Sequence, residues 1–408
     1  MDTPRPLPQH PDLMENDALS AWVQTVVDGQ EEEGVLLDYK ATTYDLRKTE
    51  DKAELAKDIS SFANAEGGVI LQGVPEKKGP QGRSIPDPNY GIPREQDYEA
   101  RASRVLASVV SPMLPQLRIR WVPSLSDTGK GVYVIWHPQS WLAPHMVHGY
   151  REFKYFWRDA DSSRPVPMTE QQVDRLYQRR AAGEQRREAF FSQIESSLGY
   201  PPSSVPQMAV CLCPRLFADA ALDIASHEFR EHILGNLYAV GRETAEWRPT
   251  SSGTYSMHQI EDLDPRVAQL HSNGALSVSV PLVRKGDAPE TVYFRRIVLE
   301  LYSAYDYVGR VYSRLGRQYL ELDARVWLDG IARFRLHYDP AGPTRHMPLY
   351  DGPHVLRDRL FVANIVADIH KAVKPMLNQV WQTFGVGFDV PADIVQAKLA
   401  DTEWARRE

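Results

Sequence analysis

The stretch Ser61–Val74, SFANAEGGVILQGV, decides the fold of the N-terminal part of the chain. An apolar helical face ends near Phe62, and the pair Gly67-Gly68 then stops the helix, because glycine readily adopts the backbone conformations that end one. The run Val69–Val74 that follows is almost continuously apolar, which is typical of a strand buried on both faces. A helix that leads directly into a doubly buried strand predicts an α/β arrangement.

A second strand is predicted upstream, over Val35–Lys40 within EEEGVLLDYK (31–40). Alternate residues of a strand share a face, so Asp38 and Lys40 lie on one side of it. Burying unpaired charges is costly. The pair therefore either lines a cleft or lies on the solvated face of an edge strand, and the sequence leaves both interpretations open.

The remaining pattern continues the alternation of helices and strands. Residues 75–93 contain too many prolines and glycines for a helix or a central strand, and they predict a long loop. Several strands are expected between 253 and 295. Further helices are expected near 17–27, 51–66, 95–110, 169–198, 227–240, 296–315 and 359–384, and further strands near 117–122, 132–137, 150–158, 208–213, 320–327 and 331–337.

The length of 408 residues predicts two or three domains. The segment 197–207, SLGYPPSSVPQ, reads as a linker, because its glycine and prolines do not continue the preceding helix. We therefore expect a disordered tail (1–14), a first domain (15–196), a second α/β domain of unassigned role (197–390) and a C-terminal tail (391–408). The fold class is α/β (α+β).

Composition excludes some classes of protein. The formal net charge of −7 gives no overall attraction to nucleic acid, so any nucleic-acid surface must be a local basic patch. No apolar run approaches the ~20 residues that span a bilayer. Cys211 and Cys213 alone do not complete a four-ligand zinc site and are expected to be buried thiols. We expect a cytoplasmic protein without a membrane partner.

Two further carboxylates extend the Asp38–Lys40 pair into a candidate site. Glu33 lies at the entrance to the first strand, and Glu76 follows the strand that ends at Val74. Positions just after buried strands are where α/β sheets place ligands. Carboxylates from separate segments with a nearby lysine suit a phosphodiesterase site that binds Mg²⁺ or Mn²⁺.

The pattern E-x-x-x-x-D-Y-K followed by SFANAEGGVILQGVPE resembles the Schlafen-type AlbA-like domain, and REFKYFWRDADSSRPVPMTEQQVDRL (151–176) resembles the closing strand and helix of that family. The resemblance covers about residues 15–180. It implies a mixed sheet with flanking helices, and a nuclease site made of Glu33, Asp38 and Glu76 as metal ligands with Lys40 as their basic partner. The sequence departs from the family at three places, with Asp38 and Tyr39 for the usual Glu and Phe, and Pro75-Glu76 for the usual acidic pair.

A nuclease needs cations along its nucleic-acid groove. Lys77, Lys78 and Arg83 in the predicted loop, together with Arg158, are the candidate contacts.

The resemblance implies a metal-dependent endoribonuclease acting on structured RNA such as tRNA, with a role in stress or antiviral defence. The alternatives are a non-catalytic nucleic-acid-binding or regulatory protein, and a nucleotide-binding switch, although the chain has no G-x-x-x-x-G-K-[ST] phosphate loop. The sequence also leaves a homodimer open.

Overall fold

The computed structural model describes most of residues 14–198 and 205–396. The gaps lie at 15, 80–81, 126, 128, 150–151, 160–163, 217–221, 225, 227–228, 230–238, 241–242, 245–247, 251–252, 259–265, 284–289, 319, 333, 338–353, 386–388, 391 and 393–394. Most of the predicted tails, most of the linker 197–207 and most of the helix predicted near 227–240 lie outside the described residues.

The chain divides into two compact units, residues 1–182 and 183–408. The division falls inside one long helix, Glu170–Leu198. The domain limits expected from the sequence, at 14/15, 196/197 and 390/391, stay predictions.

The N-terminal unit has a mixed sheet with helices around it. Its elements are α1 (Asn16–Asp28), β1 (Leu37–Lys40), α2 (Thr49–Asn64), β2 (Gly67–Gln72), β3 (Glu76–Lys78), β4 (Ser84–Pro86), α3 (Tyr98–Val109), β5 (Val110–Ser111), β6 (Arg118–Pro123), β7 (Gly131–Pro138), β8 (Met146–Gly149), β9 (Glu152–Trp157), β10 (Val166–Pro167) and α4 (Glu170–Leu198).

The main sheet has the strand order β1-β2-β7-β6. β1 runs parallel to β2, with Lys40 beside Gln72, and the other two pairs are antiparallel. β2 is buried along most of its length, as its apolar run predicts. The expected mixed sheet is thereby confirmed.

The turn from α2 into β2 explains the double glycine. Gly67 has φ +86°, and a Cβ there would lie 2.6 Å from the backbone nitrogen of Gln139. A Cβ on Gly68 would lie 2.1 Å from the ring of Phe62. The two glycines thus let the end of α2 pack directly against the sheet.

A second sheet, with the order β10-β9-β8-β5, contains three short strands that the sequence did not predict. Asn64 at the end of α2 holds this sheet in place. Its Oδ1 accepts the backbone N–H of His145 at 2.6 Å, and its Nδ2 donates to the carbonyl oxygens of His145 and Phe156, both at 3.0 Å. Asn64 is therefore a structural amide.

The long loop predicted over 75–93 is interrupted by an antiparallel hairpin, which the short strands β3 and β4 form. The prolines at 75 and 86 stand before the hairpin and at its last position, so they flank the paired backbone instead of interrupting it. The backbone N–H of Gly79 donates to the carbonyl of Arg83 at 2.7 Å near the tip of the hairpin.

The C-terminal unit is built on a larger antiparallel sheet. Its elements are β11 (Gln207–Pro214), β12 (Ala239–Val240), β13 (Glu243–Thr244), β14 (Arg248–Thr250), β15 (Gly253–His258), β16 (Arg266–His271), β17 (Leu276–Pro281), β18 (Thr291–Tyr293), α5 (Phe294–Arg314), β19 (Glu321–Asp329), β20 (Arg335–His337), β21 (His354–Phe361), α6 (Val362–Ala367) and α7 (Ile369–Thr383).

The main sheet of this unit has the order β14-β15-β16-β17-β11-β19-β21. One face packs on the apolar helices α5 and α7 in the largest core of the described residues. The other face buries the free thiols Cys211 and Cys213 with Phe191 and Trp327. None of the described helices is both long and apolar enough to cross a membrane.

The helix predicted over 359–384 is shorter than expected, because its first residues belong to β21. Leu356 and Leu360 are buried, whereas Arg357 and Arg359 are exposed, so even and odd positions face opposite sides as in a strand. Pairing with β19 favours that alternation over the helical pattern that begins at Val362.

Candidate functional site

Of the two charged side chains near the end of β1, that of Lys40 is 29% exposed, whereas that of Asp38 does not face solvent. Asp38 is only 3% exposed. The Nζ atom of Lys40 lies 2.6 Å from Oδ1 of Asp38 and 3.5 Å from Oδ2 of Asp58 on α2. The solvated edge-strand interpretation is therefore wrong for Asp38, and the pair belongs to a buried ionic network.

Arg158, which follows β9, closes this network from the other side. Its guanidinium forms an ion pair with Oδ2 of Asp38 and donates to Oγ of Ser61 at 3.2 Å. It also lies over the ring of Phe62 at 3.9 Å. The side chain is fully buried, so the expected contact of Arg158 with nucleic acid is not supported, because a phosphate backbone does not reach it there.

Asp58 is a member of the network that the sequence analysis missed. It is 1% exposed and accepts a hydrogen bond from the hydroxyl of Tyr44 at 2.6 Å. The signal was present in the sequence, because Asp58 interrupts the apolar face that Leu55, Ile59 and Phe62 form on α2. A carboxylate on such a face needs a buried partner.

Burial and neighbouring charges oppose each other within the network. Burial alone would raise the pKa of Asp38, but Arg158 and Lys40 hold that pKa below its usual value. Burial would lower the pKa of Lys40, yet the carboxylates of Asp58 and Asp38 keep it above the ordinary lysine value. Burial raises the pKa of Asp58, against the effect of Lys40. At neutral pH, Asp38 and Lys40 are therefore an ionised pair.

Glu33 lies beside this network, at the entrance to β1. It is 9% exposed, and its Oε1 accepts the backbone N–H of Tyr39 at 2.8 Å. Burial raises its pKa to about 8; the hydrogen bond from Tyr39 opposes that rise, and the negative charges of Asp38 and Glu76 add to it. The carboxyl of Glu33 is thus mostly protonated at neutral pH.

A turn before β1 brings Glu33 back towards Asp38, because the N–H of Gly34 donates to the carbonyl of Leu37 at 3.0 Å. At an odd spacing the two side chains could not share a face of a straight strand, so a bend at Gly34 is expected from the sequence. Gly34 does not have a positive φ, and a Cβ there would meet nothing within 4 Å. The chain bends at Val35 and Leu36, directly after Gly34, and this bend does not require glycine.

The remaining predicted residues lie on the exposed β3–β4 hairpin. Glu76, Lys77 and Lys78 are all exposed on β3, and Arg83 is 59% exposed between the strands. The hairpin is anchored next to the site, because the N–H of Glu33 donates to the carbonyl of Ser84 at 2.9 Å. The structure thus brings Glu33, Asp38 and Lys40 together and leaves Glu76 on the neighbouring surface.

As placed, these residues do not fit a divalent cation. Among the residues that the structure describes, no three His, Cys, Asp or Glu side chains are arranged to hold a metal ion. Both oxygens of Asp38 are engaged, one by Lys40 and one by Arg158. In the metal-free protein burial raises the pKa of Glu33, so a bound cation would have to displace a proton from its carboxyl group.

Comparison with solved structures gives a weak likeness. The N-terminal domain of a RecG-related protein from Nitrosomonas europaea, solved by NMR in solution, has a TM-score of 0.23 and 17% identity over 29% of this chain and 72% of that chain. At that score neither its fold nor its function is transferred. No curated protein matches this chain.

The comparison with protein families gives a clear result. Residues 33–167 match the family described as Schlafen, AlbA_2. The matched range begins at Glu33, ends with β10, and contains the whole ionic network of Asp38, Lys40, Asp58 and Arg158. The Schlafen-type resemblance seen in the sequence is thereby confirmed for residues 33–167.

Proposed function

We propose that the N-terminal unit binds nucleic acid, with structured RNA such as tRNA as its ligand, through the β3–β4 hairpin. One observation carries this proposal: Lys77 and Lys78 are exposed and, among the described residues, form no ion pair. Arg83 adds a third cation, and its ion pair with Glu32 is long, at 3.7 Å. Exposed cations on one hairpin are a local basic patch on a chain whose net charge is negative.

The family match supports the same ligand class, because the resemblance to Schlafen-type domains implies a partner of nucleic acid. The ionic network next to the hairpin has two carboxylates and two cations, so its charges are paired internally. A network whose charges are paired in this way repels a phosphate backbone only weakly. A non-catalytic binding role is the function that this geometry supports best.

The test is the double variant Lys77→Gln/Lys78→Gln, with binding to a tRNA and to a single-stranded RNA measured by fluorescence anisotropy across a salt series. We expect weaker binding and a salt slope that falls by about 0.7 for each lost contact with single-stranded phosphates. The hairpin backbone is unchanged, so folding should be unaffected.

The matched control is Arg104→Gln/Lys130→Gln, which removes the same charge from exposed positions on α3 and on the turn before β7. Equal losses of affinity in the two double variants would mean that binding depends on the overall charge of the protein and not on contacts at the hairpin. The proposal then fails.

A second candidate, a metal-dependent endoribonuclease, is favoured by a different observation. The charges of Asp38 and Glu76 both raise the pKa of Glu33, so each of these two carboxylates lies within electrostatic reach of Glu33. A cation would relieve that repulsion. For Glu33, Asp38 and Glu76 to become ligands, Glu33 must lose its proton and Asp38 must exchange Arg158 for the ion. Lys40 would then be the basic partner.

Glu33→Gln separates the two candidates. The amide retains the oxygen that accepts the N–H of Tyr39 and resembles the protonated carboxyl, so folding and RNA binding should persist. Cleavage of tRNA with Mg²⁺ or Mn²⁺ by the wild type that disappears in Glu33→Gln and in Glu76→Gln would establish the nuclease. Absence of cleavage by the wild type with either metal, with RNA binding retained, would leave the binding role alone.

A further inference from the structure

A cleft in the C-terminal unit gathers arginines from separate parts of the chain. It has a volume of about 450 Å³. Arg187 comes from α4, Arg215 follows β11, Arg325 lies on β19, and Arg357 and Arg359 lie on β21. Guanidinium groups from four elements thus converge on one place, although the chain carries a net negative charge.

The carboxylates of the cleft are bound at its buried side. Oδ2 of Asp323 lies 2.8 Å from Nε of Arg187, and Oδ1 lies 2.9 Å from Nη1 of Arg215. Both arginines are nearly buried. Glu321, 7% exposed, adds a longer contact to Arg215 at 3.9 Å. These groups neutralise one another and form the floor.

The mouth of the cleft is cationic. Arg359 is 58% exposed and reaches Asp323 and Glu321 only at 3.4 and 3.7 Å. Arg357 is exposed, and within the described residues its side chain forms no ion pair. Three acids also line the cleft. Glu184 and Glu188 are exposed, the charges of Arg325 and Arg357 both lower the pKa of Glu188, and burial raises the pKa of Asp358.

The register of the sheet places like charges side by side. Arg325 on β19 is directly opposite Arg357 on β21. Like charges directly opposite each other destabilise a sheet. Glu188 offsets part of this repulsion, because its carboxylate interacts with both Arg325 and Arg357. Arg325 is held in place, because it forms an ion pair with Glu188 and lies over the ring of Phe191 at 3.7 Å. A rigid guanidinium beside two exposed ones is a preorganised anion site.

We propose that this cleft binds a small ligand carrying two or more phosphate groups, held by Arg325, Arg357 and Arg359. Several forked guanidinium groups suit several phosphate groups, since each pairs with phosphate oxygens through two parallel hydrogen bonds. The cleft volume lies within the range of ~300–1,000 Å³ typical of small-molecule sites. The arginines converge on one point, whereas contacts to a nucleic-acid backbone would extend along a stripe.

The experiment uses the full chain and the double variant Arg357→Gln/Arg359→Gln. Both side chains are exposed on β21, so the substitution leaves the core intact. Binding of pyrophosphate, ATP, AMP and a short single-stranded RNA is measured by isothermal titration calorimetry. Thermal unfolding with each probe is recorded in parallel. Lys371→Gln/Lys374→Gln on α7 removes the same charge from exposed positions away from the cleft and is the control.

We expect the wild type and the lysine control to bind pyrophosphate and ATP more tightly than AMP. The arginine variant should lose about tenfold or more in affinity, as expected for lost charge-assisted hydrogen bonds. Failure of both pyrophosphate and ATP to bind at about 1 mM overturns the proposal, as do equal losses in the two double variants. A loss confined to RNA assigns the arginines to a nucleic-acid surface and also overturns the small-ligand site.

Discussion

Asp38 shows how a charged residue can be buried in a strand without a solvent-facing cleft. Its two oxygens are matched by two cations, Lys40 from the same strand and Arg158 from a segment more than a hundred residues away in the sequence. The two-residue repeat of a strand places Asp38 and Lys40 on one face. Nothing in the sequence pattern identifies Arg158 as the partner of Asp38. At the scale of single residues, this pairing leads to predictions about the stability of the fold and about the protonation of Glu33.

Asp38→Ala should reduce the free energy of unfolding by about 3–5 kcal/mol, because it leaves Arg158 buried without its carboxylate. Chemical denaturation measures the change. Asp38→Leu combined with Arg158→Met should recover much of the loss, since an apolar pair can replace a buried ion pair. Glu76→Ala, an exposed change, is the control and should have little effect. If Asp38→Ala were as stable as the wild type, the ion pair between Asp38 and Arg158 would not stabilise the fold.

Glu33 predicts a dependence on pH. Its pKa is raised from 4.5 to about 8 in the folded protein, so the folded state binds the proton more tightly than the unfolded state. The stabilisation from Glu33 is therefore complete below pH 4.5 and is lost as pH rises through about 8. Glu33→Gln cannot ionise, so its stability relative to wild type should increase over that interval. Denaturation at a series of pH values measures this, and parallel curves would contradict the shift.

The same protonation bears on the second candidate function. If Glu33 is a metal ligand, cleavage of RNA with Mg²⁺ or Mn²⁺ should increase as pH rises towards and above 8, where the carboxylate is charged. A pH–rate profile at constant ionic strength is the measurement. Cleavage that is greatest near pH 5 would remove Glu33 from the metal site.

At the scale of elements, the turn before β1 and the turn between α2 and β2 have different requirements. The sequence marks both with glycine. Gly34 has open space around its Cα and an ordinary φ, whereas Gly67 has φ +86° and a backbone nitrogen at 2.6 Å from a Cβ. Only the folded chain distinguishes a glycine that is needed from one that is tolerated.

Gly34→Ala should therefore change the free energy of unfolding by less than about 1 kcal/mol, and a small gain is expected from the less flexible unfolded chain. Gly67→Ala should cost about 1–3 kcal/mol or more, because of backbone strain and the contact with Gln139. Denaturation of the two variants side by side is the measurement. Equal effects would mean that the entrance to β1 depends on glycine after all.

At the scale of the whole molecule, the long helix α4 contributes residues 170–182 to the first unit and residues 183–198 to the second. Its first part lies in the unit that ends at 182, and its later part packs on the C-terminal sheet. Phe191 is fully buried with Cys211 and Trp327, and Arg187 pairs with Asp323. The prolines of 197–207 predict a boundary after the helix, whereas the two compact units divide within it, and the boundary near residue 196 stays a prediction.

A fragment of residues 183–408 should consequently unfold at a higher temperature than one of residues 199–408. The difference should be ~6 °C or more, because the shorter fragment loses the buried Phe191. In the full chain, Phe191→Ala should destabilise the C-terminal unit, because Phe191 is fully buried. Phe153→Ala should have little effect on stability, because the side chain of Phe153 is 73% exposed. Equal melting temperatures for the two fragments would support the boundary near residue 196.

The sequence by itself determined the α/β class, the α2–β2 unit, the parity of Asp38 and Lys40, and the family of residues 33–167, because these depend on local periodicity, glycines and a contiguous motif. Tertiary structure decided the rest. It paired Asp38 with Arg158, revealed Asp58, raised the pKa of Glu33, and set Arg325 opposite Arg357. Each of these features depends on which distant segments of the chain pack together and on how far water is excluded between them. The local sequence pattern determines neither property.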